Sequence, residues 1–264
     1  MDLEAEYNNR LKIPEFDAIV ASWPEAAAAF RSSQPGAELD LVYGPTPRQS
    51  LDLFWPDQPD PPMAMFIHGG YWQGLNKSLV SHLAAGLVAG GVAVAVPSYD
   101  LCPAVTLAAL TEQLRAAAEF LHRRHGKSML ALGHSAGGHL AAMLLATDWG
   151  ARGLADDAVH AALPISGLFD LVPLIATSIN AALHLDGAEA RRLSPLFFPS
   201  PGKPLHAFVG DEGPEYARQS SMLAVAWHGR CSRVAGANHL TIVAELTRSD
   251  SAMVRSAMDL VERR

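Results

Sequence analysis

Short apolar runs alternate with segments of helical periodicity over most of the chain. Runs of strand length cover residues 63–67, 92–96, 129–132, 159–165, 205–209 and 231–234. Amphipathic segments typical of helices cover about 77–89, 107–125, 214–227 and 251–262. Continuous apolar runs are typical of strands that are buried on both faces. This alternation therefore predicts an α/β protein with a mostly parallel central sheet and helices on both sides.

The first 55 residues depart from this alternation. Residues 39–43 and 50–55 are separated by the turn-forming Gly44-Pro45-Thr46-Pro47, which predicts an antiparallel hairpin at one edge of the sheet. Residues 1–36 are interpreted as an N-terminal arm with short helices, one of them over Glu25–Arg31 with Ser22 as its cap ahead of Pro24.

One later segment also lacks regular periodicity. Residues 167–200 are rich in Pro, Leu and Ser, and we interpret them as a partial cap that is too short to fold alone. The 264 residues contain no internal repeat, so we expect a single domain over 1–264.

Composition excludes several classes of function. The chain is 49% hydrophobic and 18% charged, with a net charge of −7, so nucleic acid and anionic membrane surfaces are not expected partners. The polar N-terminus does not resemble a secretory signal, and no apolar run reaches membrane-spanning length. Cys102 and Cys231 are expected as free thiols in a cytoplasmic protein. No Cys/His spacing indicates a metal or cofactor site, and a homodimer is possible.

The strongest chemical signal is the sequence Gly133-His134-Ser135-Ala136-Gly137. It follows an apolar strand and precedes an Ala/Leu/Met-rich helix, and G-x-S-x-G in that context is typical of a nucleophile elbow. We expect that side chains at positions 133 and 137 would collide with neighbouring backbone. Ser135 itself is expected in a strained conformation that exposes its hydroxyl. The flanking strand and helix disfavour a chance match in a loop.

A serine nucleophile needs a base and an orienting carboxylate, which in this arrangement follow in the order Ser, Asp/Glu, His. Asp211 is the first carboxylate after the run 205–209 and is our choice of acid, with Glu212 and Glu215 as competitors. His239 is the one histidine after the last strand and is our choice of base. Taken singly, these residues could instead be a helix-terminal carboxylate and a surface turn residue.

An early loop supplies the expected oxyanion hole. His68-Gly69-Gly70-Tyr71 follows the strand 63–67, and we expect the N–H groups of Gly70, Tyr71 and Ala136 to bind the oxyanion. A plain strand-to-helix turn is the alternative interpretation of the same loop. The flanking residues of the loop are assigned to substrate binding: His68, Gly69 and Trp72.

Together these motifs resemble the kynurenine formamidase (arylformamidase) family, which lies near the hormone-sensitive-lipase-like esterases in the α/β-hydrolase superfamily. The resemblance includes His68-Gly69-Gly70-Tyr71-Trp72-Gln73, in which Tyr71 stands where the broader esterase group usually has a third glycine, and Tyr7-Asn8-Asn9-Arg10 near the start. It implies the α/β-hydrolase fold and hydrolysis of N-formyl-L-kynurenine to formate and L-kynurenine. The alternatives are a general carboxylesterase for short acyl esters and a catalytically inactive binding protein, which the intact set of candidate residues disfavours.

Overall fold

The central element is an eight-stranded sheet. In the computed structural model, residues 2–262 are described; Met1, Arg263 and Arg264, which belong to the predicted domain, lie outside them. The strands are β1 (Glu38–Val42), β2 (Ser50–Phe54), β3 (Met63–Ile67), β4 (Ala93–Pro97), β5 (Met129–His134), β6 (Val159–Ile165), β7 (His206–Val209) and β8 (Arg230–Arg233). Their order is β1-β2-β4-β3-β5-β6-β7-β8. The pairs β1–β2 and β2–β4 are antiparallel and the remaining pairs are parallel, which confirms the predicted mixed sheet and its hairpin.

Helices connect and cover the strands. The α-helices are α1 (Leu3–Tyr7), α2 (Asn9–Lys12), α3 (Phe16–Ser32), α4 (Lys77–Val80), α5 (Ala85–Ala89), α6 (Leu107–His125), α7 (Ala136–Leu145), α8 (Asn180–Leu183), α9 (Gly187–Arg192), α10 (Pro214–Ala226) and α11 (Ala252–Glu262). Short 3-10 helices lie at Ser81–Ala84, Gly150–Arg152, Val172–Ala176, Pro195–Phe197 and Thr241–Thr247. No helix in this described part of the chain combines the length and the apolar character that crossing a membrane requires.

The alternation of side chains along β3 shows why these strands are apolar throughout. Met63, Met65 and Ile67 pack on one face of the sheet with residues of α6, α7 and α10. Ala64 and Phe66 pack on the opposite face with residues of α3, α5 and α11. Both faces are buried, so burial of apolar surface on two sides is the main stabilising contribution to this sheet.

Two predicted helices differ from those observed. The helix expected over 77–89 is interrupted by the 3-10 turn Ser81–Ala84. The helix expected to start near Pro24 begins instead at Phe16 and carries Pro24 in its interior. The hydroxyl of Ser22 donates to the carbonyl oxygen of Ile19 rather than capping a helix. Trp23 on this helix is buried in the core on one side of the sheet, with its ring 6.4 Å from that of His82, and this packing compensates for the hydrogen bond that a proline removes.

The topology gathers four loops at one edge of the sheet. Because β3, β5, β7 and β8 are parallel, their carboxyl ends lie on the same side. The segments that follow them contain, in turn, His68–Tyr71, Ser135, Gly210–Glu212 and His239. Residues far apart in sequence thereby reach a common region.

Candidate active site

Ser135 lies at the sharp turn between β5 and α7. Its φ and ψ angles are 56° and −119°, a strained conformation for a residue with a side chain. A Cβ atom at position 137 would overlap the carbonyl oxygen of Ile67, and one at position 133 would overlap that of Gly137. The predicted steric need for glycine at both positions is confirmed. The turn therefore holds the serine where strand, helix and the neighbouring strand β3 meet.

His239 and Glu212 form a buried pair. The Nδ1–H group of His239 donates to Oε2 of Glu212, and the two side chains are 4% and 1% exposed. The other oxygen of Glu212, Oε1, accepts hydrogen bonds from the hydroxyl of Ser166 and, at 2.9 Å, from the amide of Gly210. Burial acts to raise the pKa of Glu212, but the charge of His239 and these hydrogen bonds outweigh it and lower the pKa. The carboxylate is therefore ionised and fixed.

The acid chosen from the sequence, Asp211, points away from this pair. Its Oδ1 pairs with the guanidinium of Arg233, and its Oδ2 accepts from the amide of Gly236 at 2.8 Å. The hydrogen bond from Gly236 and the ion pair with Arg233 lower the pKa of Asp211 at the exposed surface. The assignment of Asp211 is thus corrected: Glu212, its competitor, contacts the histidine.

The backbone of the turn after β7 explains why Glu212, and not Asp211, contacts His239. The amide of Asp211 donates to the carbonyl oxygen of Ala237 at 2.6 Å, and a Cβ atom at Gly210 would overlap that same oxygen. The loops after β7 and β8 therefore touch through their backbones. Successive side chains in the turn project to opposite sides, so Asp211 faces solvent and Glu212 faces His239.

His134 holds the loop of His239 in place through a hydrogen bond. Its Nε2–H group donates to the carbonyl oxygen of His239 at 2.7 Å, and the two ring centroids are 4.7 Å apart. Burial, reinforced by the nearby charge of His239, lowers the pKa of His134 to about 3. The ring is therefore neutral at ordinary pH and acts as a fixed donor. The sequence gives no signal for this contact, which joins residues 105 positions apart.

The three expected oxyanion donors are unpaired. No atom within residues 2–262 accepts a hydrogen bond from the amides of Gly70, Tyr71 or Ala136. Gly70 and Tyr71 have φ angles of 97° and 50°, so the loop turns sharply here. The loop packs directly on the elbow, because a Cβ atom at Gly69 would lie 3.1 Å from Cβ of Ser135. These amides are available to a ligand that carries negative charge.

The residues assigned to substrate binding lie behind this loop and not on the cavity wall. His68 is fully buried, with its ring stacked on Tyr99 at 4.2 Å between centroids. Trp72 is also fully buried, edge-on to His139 at 5.2 Å. Gly69 packs against the elbow. The predicted contacts of His68, Gly69 and Trp72 with substrate are therefore corrected, because core packing occupies all three.

A cavity of about 420 Å³ opens onto Ser135 and His239. Its apolar wall consists of Phe16, Val20, Trp23, Leu75, Ile179 and Leu240, and its polar groups include Asn8, Asn9, Arg10 and Gln73. The N-terminal arm supplies seven of the lining residues. The predicted cap, residues 167–200, contributes Ile179.

The arm is tied to the site through tyrosine hydroxyls. The hydroxyl of Tyr71 donates to the carbonyl oxygen of Tyr7 and lies 2.6 Å from the hydroxyl of Tyr216. Asn9 donates to the hydroxyl of Tyr216 at 3.0 Å. The ring of Tyr216 lies 4.6 Å from that of His239. One connected set of contacts therefore links the N-terminal arm, the loop that carries Gly70 and Tyr71, and His239.

The arrangement contains the groups that acyl transfer to a serine requires. Because Nδ1 of His239 is bound to Glu212, Nε2 is the nitrogen left to exchange a proton with Ser135, which lines the same cavity. Unpaired amides lie in the loop that packs against the serine. Such a site can form and break an ester bond on the serine oxygen.

Comparisons with known proteins agree with this chemistry. The family model described as BD-FAE matches residues 51–166. The chain is 33% identical over 193 residues to the kynurenine formamidase of Danio rerio, covering 69% of this chain and 66% of that protein. It is 34% identical over 161 residues to the kynurenine formamidase of Salmo salar, covering 60% of this chain and 54% of that protein. The chain thus spans about half to two thirds of the length of these curated relatives.

A solved structure matches over nearly the whole chain. It is a protein from Silicibacter sp. TM1040 that is described as a candidate thioesterase, with 32% identity and a TM-score of 0.91. The match covers 98% of this chain and 99% of that one. The similarity in fold and in sequence to this protein therefore extends over nearly the whole chain.

Proposed function

We propose that this chain, which belongs to the kynurenine-formamidase-like group of the α/β-hydrolase superfamily, is a serine hydrolase that converts N-formyl-L-kynurenine to formate and L-kynurenine. The observation that carries the proposal is the buried Glu212–His239 pair that shares a cavity with the strained Ser135. The kynurenine formamidases among its relatives support the choice of substrate.

In the first half of the reaction, the oxygen of Ser135 attacks the formyl carbon. His239 takes the serine proton at Nε2, and Glu212 stabilises the imidazolium that forms. The amides of Gly70, Tyr71 and Ala136 bind the oxygen that becomes negative. His239 then gives its proton to the aniline nitrogen, the C–N bond breaks, and the amine product leaves a formyl ester on the serine.

In the second half, water takes the place of the amine. His239 accepts a proton from the water, whose oxygen attacks the formyl ester. The tetrahedral intermediate expels the serine oxygen, which recovers its proton from His239. The products are formate and free enzyme, so one water is consumed for each formamide that is cleaved.

The cavity suits an aromatic leaving group and a small acyl group. Phe16 and Trp23 offer ring surface to an aryl amine. The side chain of Tyr71, which three hydrogen bonds hold in place, takes up space beside the serine. We also propose a cytoplasmic location, which the free thiols of Cys102 and Cys231 support.

Purified protein tested with three substrates separates the possible activities. We expect kcat/KM for N-formyl-L-kynurenine to exceed that for p-nitrophenyl acetate and for a short acyl thioester by about 100-fold, because its formyl group lacks the methyl group of an acetyl group and its longer aryl amine contacts more of the cavity wall. A preference of similar size for the ester or the thioester would contradict the formamidase assignment and leave a general esterase.

The variant Ser135→Ala tests the nucleophile. We expect kcat to fall by about 10⁴ or more with the melting temperature retained, because the covalent intermediate cannot form. A fluorophosphonate probe should label the wild type and not the variant. Absence of labelling in the wild type would exclude the serine mechanism.

A further inference from the structure

We propose that Arg10, on the N-terminal arm, binds a carboxylate at the far end of the substrate, so that the preferred substrates are aryl formamides that carry a carboxylate. This inference rests on the proposed function and extends it to the end of the molecule that does not react. It stands on the charge distribution of the cavity and on the contacts of Arg10.

The cavity carries one permanent positive charge and no carboxylate. Of the described residues that line it, Arg10 alone is a lysine or arginine, and none is aspartate or glutamate. The side-chain amide donors nearby make hydrogen bonds within the protein: Asn8 donates to Glu4, and Gln73 donates to the carbonyl oxygen of Ile179. Asn9 donates to the hydroxyls of Tyr71 and Tyr216. An anionic ligand group is therefore drawn to Arg10 and meets no opposing charge on the wall.

The guanidinium of Arg10 is held in place but keeps donors free. Its Nη1 pairs with Asp17 at 2.6 Å, and its Cζ lies 4.8 Å from the centre of the Phe16 ring. A guanidinium has five N–H donors in a fixed plane, so one ion pair leaves others for a ligand. Asp17 lies outside the cavity lining. Its carboxylate therefore competes with a ligand for Arg10 without occupying the ligand's space.

Arg10 and Ser135 line the same cavity but differ in exposure. The side chain of Arg10 is 65% exposed, whereas Ser135 is 2% exposed. Phe16 belongs to the apolar wall and also stacks under the guanidinium. A ligand with its formyl group at the serine and its ring on the apolar wall, of which Phe16 is part, would have its other end available to the arginine that lies over Phe16. In N-formyl-L-kynurenine that end is an α-amino acid with a carboxylate.

The test compares two substrates that differ by the carboxylate alone, N-formyl-L-kynurenine and its decarboxylated analogue N-formylkynuramine. We expect Arg10→Gln to raise KM for N-formyl-L-kynurenine about tenfold with kcat within about twofold, the effect of losing one charge-assisted contact at a partly exposed site. For N-formylkynuramine, KM should stay within about twofold or fall, because this substrate offers Arg10 no carboxylate and keeps an ammonium group that the arginine repels. The conservative variant Arg10→Lys should recover part of the lost affinity.

Asp17→Asn is the matched control, since it breaks the same ion pair from the other side. It releases Arg10, so KM for N-formyl-L-kynurenine should stay equal or fall. If Arg10→Gln and Asp17→Asn raise KM alike, or if Arg10→Gln raises KM equally for both substrates, Arg10 acts by holding the arm and the inference is overturned.

Failure of the inference can be told apart from failure of the proposed function. If the wild type turns over both formamides and Arg10→Gln changes neither KM, the formamidase activity stands and the role of Arg10 is refuted. If the wild type turns over neither formamide, the proposed function itself fails.

Discussion

Asp211 and Glu212 are adjacent in the chain, yet their carboxylates lie in opposite environments. Glu212 is enclosed and accepts hydrogen bonds from His239, Ser166 and the backbone, whereas Asp211 is paired with Arg233 at the surface. Only the enclosed carboxylate can fix the tautomer of His239 and balance the charge that the imidazole gains during the reaction.

We therefore expect Glu212→Gln to lower kcat on the aryl formamide by about 10⁴, because an amide in place of the carboxylate favours the wrong tautomer of His239. Steady-state kinetics measures kcat for each variant, and a melting curve checks that the variant is folded. Asp211→Asn is the matched control one residue away and should keep kcat within about threefold. The reverse ranking of the two variants would restore Asp211 as the acid.

The sequence identifies site residues where chain order leaves one candidate. Ser135 lies in the G-x-S-x-G turn, and His239 is the sole histidine after the last strand. The choice between two consecutive carboxylates depends on which way a turn directs its side chains, and contacts of the loop with Ala237 set that direction. Likewise, the bond from His134 to the loop of His239 joins distant segments and leaves no local pattern.

At the scale of elements, the turn between β5 and α7 depends on close backbone approach. We expect Gly137→Ala to destabilise the protein by about 3 kcal/mol or more, because its Cβ atom would overlap the carbonyl oxygen of Ile67 and neither backbone can yield freely. Urea unfolding followed by circular dichroism measures the change in the free energy of unfolding.

Gly187 provides the control for this substitution. It begins α9, and a Cβ atom there meets nothing within 4 Å among the residues described. Gly187→Ala should therefore leave the stability unchanged or raise it by about 0.5 kcal/mol, since alanine restricts the unfolded chain. Equal losses from Gly137→Ala and Gly187→Ala would show that the elbow tolerates a side chain.

The elements that the sequence predicts well are those with burial on both sides. The apolar run of β3 stands out against its turn-forming neighbours, and α6 spans the predicted residues, Leu107–His125. The start of helix α3 is not predicted, because Pro24 is typical of a helix start, whereas burial of Trp23 beside His82 stabilises a helix that continues across the proline. Local preference predicts an element reliably when tertiary packing does not oppose it.

At the scale of the whole molecule, the N-terminal arm completes the cavity and is fastened to α10. Glu215 accepts a hydrogen bond from the hydroxyl of the fully buried Tyr7 at 2.7 Å and pairs with Arg218 at 2.6 Å. Its own amide donates to Glu6 at 3.1 Å. The sequence predicts an arm but not where it docks, because docking rests on polar contacts between residues more than 200 positions apart.

The stability that Glu215 contributes should depend on pH. The hydrogen bonds with Arg218 have the largest effect on the pKa of Glu215. Together with the hydrogen bonds from Tyr7 and Gln219, they outweigh the effect of burial and lower this pKa from 4.5 to about 2. A carboxyl whose pKa is lower in the folded state stabilises the fold above its unfolded pKa. That contribution is lost as the pH falls from about 4.5 towards 2, because the unfolded chain takes up the proton first.

We expect Glu215→Gln to lower the melting temperature by about 3 °C at pH 7, and this difference from wild type to narrow as the pH is lowered from 5 to 3. Calorimetry over that range measures both. Glu189→Gln is the control, because its partner Arg192 is largely exposed and the pair contributes little, so its difference should stay within about 1 °C. A difference for Glu215→Gln that is constant with pH would mean that the ionised form of Glu215 contributes nothing to the stability of the fold.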